Sequence, residues 1–162
     1  MHRGVEVRYK IDMSEAIKKS HNKTVLLYHM VFPAKYRRKV FGEKVETELK
    51  KACEEINKRY EINFVEIGVD EDHAHFLIQG IPTMSVTRIV TIVKSITAKE
   101  IFKKCPEVKK SLWGGNFWTS GYYANTVGKY GNEEVISNYV KNQGKKYELL
   151  SRGQLTFFDG VA

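Results

Sequence analysis

The octapeptide Asp72-His73-Ala74-His75-Phe76-Leu77-Ile78-Gln79 carries two imidazoles flanking one small apolar residue, with a short apolar run behind them. Side chains of a β-strand alternate faces, so His73 and His75 point the same way while Ala74, Phe76 and Ile78 point towards a packed layer. Two imidazoles about 7 Å apart on one strand face form a natural pair of metal ligands. The blander reading of the same residues is a pair of hydrogen-bonded sheet histidines. A second stretch with chemical potential is Pro33-Ala34-Lys35-Tyr36-Arg37-Arg38-Lys39. Its cations interleave with an aromatic ring, which suits phosphate recognition and base stacking together; a solvated loop is the plain alternative. Further on, Tyr139 and Gln143 are four residues apart, on one face of any helix that holds them. Tyr139 sits among Val135, Ile136 and Val140, where a core tyrosine is the default. Gln143 ends that stripe with an amide whose carbonyl oxygen is a hard donor suited to a divalent cation.

The elements needed to position these residues are readable from periodicity. The apolar run from Thr24 to Phe32 reads as a strand buried on both faces, with His29 a sheet histidine that could share the face of the His73–His75 pair. Gly42 to Tyr60 places Val45, Leu49, Ala52, Cys53 and Ile56 at helical spacing. Ile62 to Val69 reads as a strand, and Asp70-Glu71-Asp72 turns it into the histidine strand as an antiparallel hairpin that Gly80-Ile81-Pro82 ends. Ser85 caps a second helix whose inner stripe is Val86, Ile89, Val90, Val93, Ile96, Thr97 and Ile101, with Lys94, Lys99, Lys103 and Lys104 elsewhere on its surface. Pro106 marks a break, Leu112-Trp113-Gly114-Gly115-Asn116 is a loop with an aromatic anchor, and Phe117 to Val127 reads as a strand. A helix from Asn132 to about Tyr147 follows the Gly128–Gly131 loop. The order β-α-β-β-α-β-α predicts an α+β fold. Its core is a ferredoxin-like (split βαβ) antiparallel sheet with helices on one face, and a C-terminal helix carries the tyrosine.

The chain of 162 residues reads as an arm (1–23), one domain (24–150) and a tail (151–162). A short helix could start at Ser14. Lys+Arg 27 against Asp+Glu 19 leaves a net charge of +8, which favours a polyanionic partner, nucleic acid before membrane. No apolar run approaches a transmembrane span and the N-terminus lacks a signal-peptide core, so a cytoplasmic protein, nucleoid-associated when on DNA, is expected. Cys53 and Cys105 lack CxxC spacing and read as reduced, half-buried thiols.

Taken in order, four stretches resemble the single-tyrosine HUH transposases of small bacterial and archaeal insertion sequences, TnpA-like proteins and REP-associated tyrosine transposases among them. They are Tyr28-His29-Met30-Val31-Phe32 running into Lys35-Tyr36-Arg37-Arg38-Lys39; Asp72-His73-Ala74-His75; Leu112-Trp113 ahead of Gly121-Tyr122-Tyr123; and Asn138-Tyr139-Val140-Lys141-Asn142-Gln143. The resemblance spans roughly Lys23 to Gln143. It departs from the pattern in a longer arm, the small Ala74, and a few extra residues between Gly114 and Trp118. It implies that His73 and His75 are a metal pair, Gln143 a third ligand and Tyr139 the nucleophile. The implied reaction cuts and rejoins single-stranded DNA through a 5′-phosphotyrosine, with hairpins at the element ends recognised by a homodimer. An amide oxygen beside phosphate oxygens favours Mg²⁺ or Mn²⁺ over zinc. Lys35, Tyr36, Arg37, Arg38 and Lys141 are the expected DNA contacts. Two alternatives compete: a domesticated or replication-type HUH nickase with the same chemistry, and an RNA-binding sheet. The latter would need stacking aromatics where the histidines stand.

Overall fold

Residues 17–19 and 21–127 are described in the computed structural model. They form β1 (Ile17–Lys19), β2 (Asn22–Thr24), β3 (Leu26–Pro33), a 3-10 turn (Lys35–Arg37), α1 (Glu43–Arg59), β4 (Asn63–Val69), β5 (His73–Gly80), α2 (Val86–Lys104), α3 (Pro106–Ser111) and β6 (Tyr123–Val127). The β1–β2 pair is a small antiparallel ribbon. The other strands build one antiparallel sheet in the order β4-β5-β3-β6, the split βαβ arrangement.

Both long helices pack on one face of this sheet. Met30, Phe32, Phe64, Ile67, Ala74, Phe76 and Ile78 from the strands form one core with Leu49, Cys53 and Ile56 of α1 and Ile89, Val93 and Ile101 of α2. Each fully buried large apolar side chain contributes about 1.5–3 kcal/mol of transfer free energy, so this layer holds the sheet to its helices. Gly80 lies at the tightest approach: a Cβ there would meet Ile89 Cδ1 and the Tyr28 ring at 3.2 Å. At the helix starts, Ser85 Oγ accepts from the Arg88 amide at 3.1 Å, while α1 relies on Glu43 and Glu46 in its first turn and Lys58 and Arg59 in its last.

Several elements differ from the sequence expectation. Ile17 belongs to β1, where a helix starting at Ser14 would have carried it. Pro106 marks the expected break after α2 and also opens a short helix that was not expected, α3, because a proline at the first helical position lacks only an amide that would have no intrahelical partner. The last strand is Tyr123–Val127, not Phe117–Val127. Phe117 and Trp118 are consecutive yet both buried in the helix-side core, against Phe41, Phe102 and Phe32, a geometry that alternating strand side chains cannot give. Trp118 is anchored by its indole N–H donating to Thr97 Oγ1 at 3.0 Å. Cys53 and Cys105 are buried outright. The expected 132–147 helix, with Tyr139, Lys141 and Gln143, lies outside the described residues, as do most of the arm and the tail.

Lys94, expected on the helix surface, instead reaches inward. Its Nζ donates to the Thr119 and Gly121 carbonyls at 2.7 Å each and lies 5.4 Å from the Phe32 ring centre, holding the loop that leads into β6. Burial lowers its ammonium to about 8, from an ordinary value of 10.5. From pH about 8 to 10.5 the unfolded chain therefore binds a proton that the folded state has released, so this group makes stability rise with pH across that window. Lys94→Met is expected to flatten the rise, read as the difference between wild-type and variant denaturant midpoints; parallel pH profiles would refute the assignment.

Candidate histidine site and nucleic-acid interface

Opposite the helices, register and alternation gather a second set of side chains. His75 pairs with Val31 and Gly68; His29 pairs with Leu77 on one side and Asn125 on the other; Tyr123 pairs with Val31. His73, His75, His29, Tyr123 and Asn125 consequently share one face, with a minor apolar cluster of Leu27, Val65 and Leu77 beside them. The two strand histidines stand as their spacing predicts, with ring centres 4.6 Å apart and planes at 74°. His29, within its buried strand, turns to the same side.

Each ring of the pair is held through Nδ1. His73 Nδ1 lies 2.6 Å from Asp72 Oδ1, and Asp72 Oδ2 accepts from Arg37 Nε at 3.0 Å. His75 Nδ1 lies 3.4 Å from Nε2 of His29, whose ring is parallel to it within 2°. A ring held through Nδ1 coordinates through Nε2, and such outer partners fix both tautomer and orientation. Asp72 is tuned for this position. Burial opposes its ionisation, but the His73 hydrogen bond and the Arg37 charge outweigh burial and hold its carboxyl below the usual range. The chemistry of the pair fits a divalent cation. Among the described residues no group of three or more His, Cys, Asp or Glu side chains gathers as a cage. Two imidazoles on one strand face offer two nitrogen donors and leave a divalent cation's remaining positions to other ligands. Asp72→Asn is expected to weaken Mn²⁺ binding roughly tenfold, measured by titration with the Mn²⁺ electron paramagnetic resonance signal. An unchanged affinity would remove Asp72 from the ion's support.

The basic loop follows β3 directly, so it emerges at the His73 end of the sheet, where Pro33 pairs with His73. Lys35, Tyr36 and Arg37 form its 3-10 turn. Arg37 is committed in part to Asp72, and exposed Lys39 pairs with Glu71 at 3.0 Å. Arg38 instead lies over the ring of Trp113, 4.8 Å from its centre. Trp113 was legible only as a loop anchor, yet it is Leu112, at 1% exposure, that anchors the loop while Trp113 is 72% exposed. The carboxylate supporting His73 was likewise hidden in plain view as its sequence neighbour. No described helix is long and apolar enough to cross a membrane.

Several known proteins resemble this chain in sequence and fold. The family described as Transposase IS200 like matches residues 22–143. The transposase for insertion sequence element IS200 of Salmonella typhimurium is 35% identical over 128 residues, 76% of this chain and 80% of that protein. The ISDra2 transposase TnpA of Deinococcus radiodurans is 30% identical over 121 residues, 75% of this chain and 86% of that protein. A crystal structure from Deinococcus radiodurans R1 aligns with TM-score 0.64 and 28% identity, covering 78% of this chain and 97% of the other. The REP-associated tyrosine transposase bound to a REP hairpin shares the fold at TM-score 0.55 and 9% identity, covering 80% and 74%.

Proposed function

The chain belongs to the IS200-like transposase family, and from that premise we propose that it cuts and rejoins single-stranded DNA through a 5′-phosphotyrosine on Tyr139. The observation that carries this reading is the His73–His75 pair on the sheet face opposite α1 and α2, both rings tied through Nδ1, with a cationic loop at its rim. In the proposed site His73, His75 and Gln143 hold Mg²⁺ or Mn²⁺. The ion's contribution, when bound, is to withdraw charge from the scissile phosphate.

This chain's own groups perform the rest. The Tyr139 oxygen attacks phosphorus, the bond to the 3′ oxygen breaks, and the proton lost by the phenol is balanced by the one gained by the 3′-hydroxyl. A phenol titrating near pH 10 must be activated for this step. Attack by a 3′-hydroxyl, the same or another strand's, reverses it and restores the phosphodiester. Because the covalent bond conserves the phosphodiester's energy, no nucleotide cofactor is needed. Lys35, Tyr36, Arg37, Arg38 and Lys141 are the proposed DNA contacts, and the working unit is a homodimer acting on nucleoid DNA. Hairpins are the proposed recognition element: the family resemblance implies them, and one protein of the same fold has been captured on a REP hairpin.

The test is a labelled single-stranded pool of hairpins with single-stranded flanks, incubated with Mg²⁺ or Mn²⁺. A denaturation-resistant protein–DNA adduct that requires the metal is the expected product. Tight, metal-independent binding without any adduct would leave a binding module in place of an enzyme.

A further inference from the structure

At the rim of the histidine site two loops meet and expose aromatic rings. Tyr36 is 57% and Trp113 72% exposed, and their ring centres are 5.4 Å apart, edge to face. Arg38 lies 4.8 Å over the Trp113 ring and Lys35 Nζ 5.4 Å over that of Tyr36. Large rings left in water and decorated with cations are poor material for a core or an apolar docking face. They match the needs of a base with a phosphate on each side.

The platform is also built. Tyr36, Arg37 and Trp113 have φ of 61°, 52° and 55°, a region that side chains with a Cβ seldom occupy. Backbone hydrogen bonds hold them there: Arg37 N to Ala34 O at 2.9 Å, and Trp113 N to Lys110 O at 3.0 Å. The first loop is fixed to the sheet and to the second loop through Ala34 N to Asp72 O and Lys35 N to Phe117 O, both 2.8 Å. The fully buried Leu112 and Phe117 flank Trp113 in sequence and anchor its loop. Between the platform and His73 runs the chain Arg37–Asp72–His73.

We infer that Trp113, with Arg38 and Tyr36, is a stacking platform for an unpaired base of the single-stranded DNA that leads to the scissile phosphate. The inference rests on the reading of this chain as an enzyme of single-stranded DNA and adds to it a base-binding position. Strained loops hold the rings still, so stacking costs little further ordering, and a face-on base contact explains sequence-tolerant grip beside a site that must accept a moving strand.

Tryptophan fluorescence reads the contact directly, because Trp113 and the 4%-exposed Trp118 are the chain's two tryptophans. In EDTA, where strand cleavage is off, a short oligothymidylate should quench Trp113, and a strand of abasic residues with the same phosphates should not. Trp113→Ala should bind the oligothymidylate about 5- to 100-fold more weakly with an unchanged salt slope, and Trp113→Phe should fall between. Arg38→Gln should shallow the salt slope by about one unit. Equal quenching by the abasic strand, or wild-type affinity in a folded Trp113→Ala, overturns the inference. Adduct formation with metal separates the two ideas. Stacking without any adduct keeps the platform and removes the enzyme, whereas an adduct with indifferent Trp113 variants does the reverse.

Discussion

Tyr139→Phe is expected to abolish the covalent protein–DNA adduct while leaving affinity for a hairpin with single-stranded flanks within about twofold. The substitution removes one phenolic oxygen and keeps an aromatic ring of nearly the same size, so loss of folding is not the expected route to inactivity. A nucleophile cannot be partly replaced: without its oxygen no phosphotyrosine forms, and the rate should drop on the order of 10³-fold or more. The fold supplies a demanding control. Tyr123 stands on β6 on the same sheet face as the histidines, 6.1 Å from the His29 ring, while Tyr122 turns towards Phe32 and Lys94 on the other side. Tyr123 is therefore the rival that geometry nominates. Tyr123→Phe should retain the adduct. An adduct lost in Tyr123→Phe and kept in Tyr139→Phe would move the nucleophile to the sheet.

The second large effect concerns the ion. Chelation by EDTA should stop cleavage and added Mn²⁺ restore it, and His73→Ala should lose Mn²⁺ affinity together with adduct formation. His73 is the better of the two to remove, because its side chain is 18% exposed and tethered from the surface by Asp72. His75 is 7% exposed and packed against His29, so His75→Ala also forfeits buried contacts and should lower stability by about 1–3 kcal/mol. Unaltered cleavage by a folded His73→Ala in metal would remove the pair from the reaction. Mixing His73→Ala with Tyr139→Phe protein further tests the proposed homodimer. An adduct that returns in the mixture means that one subunit's tyrosine serves the other's histidines.

Local pattern carried much of this far. The apolar stripe of α1, Val45, Leu49, Ala52, Cys53 and Ile56, is the buried one, and Ser85 does cap α2. His73 and His75 share a face because a strand's period of two leaves no other outcome. Such features depend on neighbours within a few residues, and the chain states them outright. The sequence also determined the family, since ordered motifs survive as a set even where each alone is weak.

Tertiary structure decided the partners. That His29 faces His75 follows from the β3–β5 register, in which Val31 stands opposite His75 and His29 opposite Leu77. That Arg37 braces Asp72, 35 residues away, follows from Pro33 pairing with His73. Phe117 and Trp118 looked like strand residues because their propensity is right, but burial of both in one core overrode it. Lys94 looked like a surface cation because helical periodicity cannot show that a neighbouring loop will present two carbonyls to it. Trp113 looked like an anchor because an aromatic in a loop usually packs, and only the burial of Leu112 and Phe117 on either side leaves it outside. Periodicity specifies which way a residue faces along its own element; what it meets there depends on contacts distant in sequence, and those exist only once the sheet has closed.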